Sequence, residues 1–174
     1  MSQTDDGRYN VEVNRLLGGA VKTIASVRSC WLVTEANSGG SDARPMGRVL
    51  PDHDDWTIRF ITDRRSRKTS DIRRASKVGL IFQNDPDEAF VALSGTATLI
   101  EAASEVRQLW KEAYNALIPT EADRANAALI HVGVERMKLW IRGLTEEPFG
   151  LRATVLERDT GGIWRLACHD RNAA

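Results

Sequence analysis

Trp56-Thr-Ile-Arg-Phe-Ile-Thr62, then Asp63-Arg-Arg65, then Ser66-Arg-Lys-Thr-Ser-Asp-Ile-Arg-Arg-Ala75, then Val78-Gly-Leu-Ile-Phe82, is the stretch from which the fold can be read. Trp56, Ile58 and Phe60 alternate with Thr57 and Arg59, the period of a strand that buries one face. Ser66 is placed to accept a hydrogen bond from the first-turn amides of a helix running to about Ala75, with Ile72 and Ala75 on its inner face. Val78–Phe82 then reads as a second strand. The stretch is also the most basic part of the chain. Arg59, Arg64, Arg65, Arg67, Lys68, Arg73, Arg74 and Lys77 stand against only Asp63 and Asp71.

Upstream, Val13, Leu16, Leu17, Ala20, Val21 and Ile24 recur at helical spacing, so a helix is expected from Val11 to Val27 behind a tail of residues 1–9. Short apolar runs at Cys30–Thr34 and Pro45–Leu50, separated by NSGGSD, lead through PDHDD to the strand at Trp56. Together they predict three strands in an antiparallel meander. Downstream, Phe90–Ile100 alternates around Gly95, where a bulge or close approach is expected. Helices are predicted over Ser104–Leu117 and from Thr120 to about Ala127, interrupted at Ile118-Pro119. Strands resume at Ala128–Ile141, and Leu151–Leu156 with Ile163–Ala167 close the chain as a hairpin around Asp159-Thr-Gly-Gly. Local antiparallel pairing with peripheral helices favours an α+β barrel over a doubly wound parallel sheet.

The length of 174 residues fits one domain, 1–174. Basic and acidic side chains balance at 24 each, and 42% of residues are apolar, which argues against disorder and against global polyanion binding. The basic stretch lacks the interleaved exposed aromatics of a single-strand binder, so no nucleic-acid partner is expected. No apolar run is long enough for a membrane span, and no membrane partner is expected. Cys30 and Cys168 form no C-x-x-C pair, and His53, His131 and His169 are scattered, so neither a zinc site nor a disulfide scaffold is signalled. A reducing, cytoplasmic setting fits these features.

Two segments carry chemistry. Ile61-Thr62-Asp63-Arg64-Arg65-Ser66-Arg67-Lys68 joins a strand to a helix N-terminus, where unpaired amides and the helix dipole favour an anion that Arg67 or Lys68 could bind. The alternative is a solvated basic face. In Ala43-Arg44-Pro45-Met46-Gly47-Arg48-Val49, even spacing puts Arg44 and Arg48 on one face of a strand, converging on one anionic ligand. The alternative there is that the arginines cover an open barrel face or pair with Asp52, Asp54 or Asp55.

These segments resemble the pyridoxamine-phosphate-oxidase-like flavoproteins. In that superfamily an Arg-x-apolar strand, a strand ending Tyr-Thr-Asn and a Ser-Arg-Lys helix start form the FMN site. Here the matching residues are Arg44-Pro45-Met46, Ile61-Thr62-Asp63 and Ser66-Arg67-Lys68, followed by Val78–Phe82 and a strand ending at Gly95. Leu139-Trp140 is similar to the family's Phe-Trp. Arg152 matches an arginine opening the penultimate strand, and Ile163-Trp-Arg-Leu-Ala167 matches a shortened closing run without its proline. The resemblance spans roughly residues 11–167. It implies an antiparallel split β-barrel of six to seven strands, Greek-key in type, that works as a homodimer with FMN between subunits. The phosphate would lie near Arg67 and Lys68 and the ring against residues 44–49 and 61–62. Trp140 and Arg152 would arrive from the partner. Read without the resemblance, Trp140 is a packed strand aromatic and Arg152 a surface charge beside Glu146 or Glu147.

The departures bear on activity. Phe90 stands where the oxidases carry a flavin-contacting glutamine. Glu146-Glu-Pro-Phe-Gly-Leu151 stands where they carry Arg-x-His, and two carboxylates repel a phosphorylated substrate. The chain therefore resembles the general stress protein branch. That resemblance implies an FMN-dependent oxidoreductase with an unassigned small-molecule substrate, or a flavin-binding stress protein without turnover. Haem or a deazaflavin are the other ligands hosted by related barrels, and haem would require His131 or His169. Cys30 reads as a core residue and His53 as a turn residue. No side-chain nucleophile or acid–base pair is evident.

Overall fold

The computed structural model describes residues 3–47 and 55–167, with side chains from residue 10 onward. Helix α1 (Gln3–Ser26) buries Val13, Leu16, Ala20 and Ile24 along one stripe. It starts at Gln3 rather than Val11, so residues 3–9, expected as a tail, continue the helix. Extension of an existing helix adds one hydrogen bond per residue fixed, and no proline interrupts it.

Strands β1 (Ser29–Glu35) and β2 (Ser41–Gly47) form a hairpin whose turn holds Gly39 and Gly40 at φ of 82° and 81°. The pairing of Glu35 with Ser41 sets the register, and β2 begins ahead of the expected Pro45. Residues 48–50, and Arg48 with them, lie outside the described residues, as do His53, Cys168 and His169. The expected meander stops at β2. Strand β3 (Thr57–Asp63) pairs instead with β6 (Ala127–Ile141), where Ile58 meets Val132 and Phe60 meets Ile130. Two alternating apolar rows match there, and matched rows fix register.

Helix α2 (Arg67–Arg74) leads to β4 (Lys77–Asn84) and β5 (Ala89–Ile100). An insert follows, made of α3 (Ala103–Gln108), a 3-10 turn (Glu112–Ala116) and α4 (Glu121–Arg124). It is more broken than the two helices expected. Trp110 packs edge-on against Tyr114 at 5.8 Å, and Val106, Tyr114 and Ile118 bury themselves over Ile61 and Leu129. Tertiary packing over the sheet overrides a weak local helical preference. Strands β7 (Thr154–Arg158) and β8 (Trp164–Leu166) form the expected closing hairpin. Strand β7 begins at Thr154, after the expected Leu151.

The eight strands of the described residues, one or two more than expected, run β2-β1-β4-β5-β6-β7-β8, with β3 attached to β6. One edge of β6 pairs with β5 along its length, while the other pairs first with β3 and then with β7. The change of partner falls at a register shift between Ser94 and Gly95, which face Arg136 and Val134 and leave Glu135 unopposed. A Cβ on Gly95 would sit 2.0 Å from the Gly133 carbonyl oxygen. The bulge and close approach expected at Gly95 are thus the point at which the sheet splits. This is the α+β antiparallel split barrel that the sequence resembles.

The barrel core holds Leu32, Ile58, Leu80, Val91, Leu93, Ile130, Met137, Leu139 and Leu156. On the opposite face, Pro45, Trp31, Ile81 and Ala92 lie side by side across β2, β1, β4 and β5, with Trp31 47% and Ile81 40% exposed. Phe90 and Trp140 are paired on the same face. No helix among the described residues is long and apolar enough to cross a membrane.

Candidate functional site

The corner between β3 and α2 is built by short contacts. Ser66 N–H donates to the Asp63 carbonyl at 3.0 Å, closing the turn. Thr69, fully buried, sets its hydroxyl 2.6 Å from the Ser66 carbonyl oxygen and 2.8 Å from that of Arg64. Ser66 occupies the N-cap with extended backbone, but its side chain caps no amide, contrary to expectation. Its Oγ faces Thr69 instead, at 3.5 Å. The inner face of α2 is Thr69, Asp71 and Ile72, with Ala75 only half-buried.

This corner brings Thr62, Ser66, Arg67, Lys68 and Arg44 together. Lys68 Nζ donates to the buried Thr62 Oγ1 at 3.0 Å. Lys68 makes no ion pair among the described residues, and its pKa is lowered by burial and then by the Arg44 charge, against a smaller opposing pull from Asp63. Asp63 is committed elsewhere. Arg65 binds it in bidentate fashion, at 3.0 and 2.6 Å, and holds its carboxyl down to about 2.

Arg44 is paired, though not with Asp55, and Asp52 and Asp54 lie outside the described residues. Its Nη2 lies 2.8 Å from Asp42 and 3.2 Å from Asp71, and Nη1 donates to Thr34 at 2.8 Å. Thr34 Oγ1 in turn donates to Asp71 at 3.2 Å, and Arg74 reaches the same carboxylate at 4.0 Å, so the buried Asp71 has three partners. Arg67 is 76% exposed and reaches Asp42 at 3.7 Å. Thr34, Asp42 and Asp71 were not anticipated. The available signals were the position of Asp42 on the same strand face as Arg44, two residues earlier, and of Asp71 one helical turn after Arg67.

The remaining candidates separate. Met46 is buried in the core, Pro45 is exposed on the outer face beside Trp31, and Ile61 lies under the insert. Trp140 is half-buried near the end of β6, and Arg152 is exposed in the turn before β7. Ala128 of β6 pairs with Thr62, so Trp140 lies about 40 Å along the strand from the corner at ~3.3 Å per residue. One chain does not bring these two residues to its own Lys68.

Two clefts among the described residues lie away from Lys68. One, of 770 Å³, crosses the outer face of β3, β6 and β5 at Arg59, His131 and Arg158. Burial and then Arg59 lower the His131 pKa, and its Nε2 is buried without a hydrogen-bond partner among the described residues. The other, of 640 Å³, lies under the insert, walled by Val106 and Trp110 and edged by Arg64, Arg107 and Arg124. Cys30 is buried, with its thiol pushed up to about 12. No group of three or more metal-ligating side chains occurs among the described residues.

The architecture is that of a split barrel with a cationic strand–helix corner. Residues 19–151 match the model of the family described as pyridoxamine 5'-phosphate oxidase like, and the chain belongs to that family. Three solved structures illustrate the shared fold. A Clostridium acetobutylicum protein related to general stress protein 26 of Bacillus subtilis aligns with a TM-score of 0.67 at 16% identity, covering 81% of this chain and 93% of its own. A pyridoxamine 5'-phosphate oxidase-related, FMN-binding protein from Nostoc punctiforme gives 0.65 at 18% identity, covering 87% and 94%. General stress protein 26 from Bacillus anthracis gives 0.55 at 22% identity, covering 71% and 92%. None of the curated proteins compared with the chain matches it.

Proposed function

We propose that the protein binds FMN and works as a flavin-dependent oxidoreductase on a small molecule. The observation that carries this reading is Lys68, a partly desolvated ammonium beside Arg44 that bonds a hydroxyl, makes no ion pair among the described residues and feels only a smaller pull from Asp63. Such a cation is stabilised by an arriving anion, and a phosphate supplies one with several strong acceptors. Arg67, exposed at the first position of α2, adds a mobile second donor. Thr62 holds the Lys68 ammonium in place. When bound, the flavin supplies the redox chemistry. The chain's part is to bind, orient and shield, which requires no side-chain nucleophile.

A homodimer belongs to the same reading. Pro45, Trp31 and Ile81 form an exposed apolar row continuous with Phe90 and Trp140 on one sheet face, the character of a surface that a second copy covers. Across a two-fold axis such a contact is self-complementary. Trp140 and Arg152, remote from their own corner, would serve the partner's flavin. A monomeric mass by light scattering of the flavin-loaded protein would remove this part of the proposal. A cytoplasmic setting rests on Cys30, a buried and unreactive thiol rather than a disulfide half.

The first test is the visible spectrum of the purified protein after FMN addition and desalting. Retention of about one flavin per chain supports the reading, and a colourless protein defeats it. Arg67→Ala with Lys68→Ala is expected to weaken FMN more than riboflavin, and equal losses would place the phosphate elsewhere. A second reading, flavin binding without turnover, draws on Phe90 and on Glu146 and Glu147 standing where the oxidases carry substrate- and ring-contacting groups. Steady-state turnover with reduced nicotinamide and a quinone separates the two.

A further inference from the structure

We infer that Asp42 is a built-in occupant of the anion corner, a carboxylate that an incoming phosphate must displace and that sets the affinity for phosphorylated over unphosphorylated ligand. The inference rests on the flavin reading above. A single oxygen of Asp42, Oδ2, lies 2.8 Å from Arg44 Nη2 and 3.7 Å from Arg67 Nε. It therefore sits between Arg67, which the reading assigns to the phosphate, and Arg44, the cation beside Lys68, in the place of a ligand oxygen.

The two carboxylates at this corner differ in freedom. Asp71 is 5% exposed and bonded to both Thr34 and Arg44, so it stays as the permanent counter-ion of Arg44. The Asp42 side chain is one third exposed (33%) on β2, the end strand of the sheet, and can rotate into water. Its rival carries more charge. A phosphomonoester bears about −1.5 to −2 at neutral pH, against one for the carboxylate, and offers three acceptor oxygens. A phosphate dianion can thus take Arg67 and the outer side of Arg44 while Asp42 turns out. An uncharged ligand end has no means of doing so. The device holds the corner closed to weak anions and lowers the affinity for FMN without affecting the ring contacts.

The test compares FMN and riboflavin binding, followed by flavin fluorescence, to the full-length wild type, Asp42→Asn and Glu135→Gln. The last variant removes the same charge from the outer face of β6, where Glu135 pairs with Lys77 and Thr96. Asp42→Asn is expected to bind FMN five- to tenfold more tightly, about 1–1.4 kcal/mol, with riboflavin unchanged and Glu135→Gln like wild type. FMN affinity that stays the same or falls in Asp42→Asn, or that rises equally for riboflavin or in Glu135→Gln, overturns the assignment. Failure of all three proteins to bind either flavin overturns the flavin reading, and this inference with it. Normal FMN binding without a gain in Asp42→Asn overturns only the inference.

Discussion

Gly95→Ala tests the architecture where β6 exchanges β3 for β7. The added Cβ would lie 2.0 Å from the Gly133 carbonyl oxygen, 2.9 Å from its carbon and 3.1 Å from the Val134 Cα, all backbone atoms. An ordinary contact needs more than a further ångström, and no side chain is there to give way. Strands β5 and β6 must part, which strains the ladder on both sides of the bulge. Two ladder hydrogen bonds at about 1 kcal/mol each and overpacking of about 1–3 kcal/mol combine to roughly 4 kcal/mol. At about 2–4 °C per kcal/mol for a chain of this size, the melting temperature should fall by ~8–16 °C. Thermal unfolding of the flavin-free protein by circular dichroism measures this directly. A Gly95→Ala variant melting within about 2 °C of wild type would refute the close approach, and with it the placement of the split.

Gly18 offers the opposite case, since a Cβ there meets nothing within 4 Å on α1. Gly18→Ala should stabilise by about 0.5–1 kcal/mol, and urea unfolding that shows a loss contradicts a continuous α1. In a Cys168→Ser background, Cys30 should resist a thiol reagent at pH 8 until the protein unfolds, because burial holds the thiol near 12; labelling of the native protein at a free-thiol rate counts against its burial. Asp63, held at about 2 by Arg65, keeps its pairing well below the ordinary carboxylate range, and this contribution to stability, present above the unfolded value of 3.8, fades as pH falls through about 2. A carbon-detected NMR titration should show the low midpoint in wild type and a rise toward 3.8 in Arg65→Ala, and equal midpoints would deny the pair any role.

The features legible in the sequence were those of local origin. Alternation at Ile58 and Phe60, at Val91 and Leu93, and along Ile130–Ile141 identified strands because each buries one face against the same core. Gly95 was legible because a strand interior tolerates glycine only where backbone approaches closely. The partner of β3 was not legible. PDHDD looks like a hairpin turn, yet β3 pairs with a strand that follows it by more than sixty residues, a choice made by matching apolar rows rather than by the turn. The insert misled for the same reason, its apolar residues being spaced for a helix but packed as separate turns over Ile61 and Leu129. At Ser66 the N-cap position was right and the bond wrong, since the Thr69 amide donates to the Ser66 carbonyl while the serine hydroxyl faces the Thr69 hydroxyl.

The candidate site shows the same division in electrostatic form. Its cations were legible as a run, Arg67-Lys68 with Arg44 one strand away. The carboxylates that balance them were not, because Asp42 and Asp71 acquire their meaning only when β2 and α2 close on β1. Arg44, Arg67 and Lys68 then face Asp42 and Asp71, and the unmatched charge falls on Lys68, which is half-buried and makes no ion pair among the described residues. Adding a phosphate dianion beside both carboxylates would leave the corner with excess negative charge. Releasing Asp42 to solvent restores the balance, with Asp71 and the phosphate against Arg44, Arg67 and Lys68. On the flavin proposal the corner is therefore best matched to a dianion by exchange rather than addition, so that the charge of the ligand's tail, and not a flavin ring, would be the quantity this part of the protein reads.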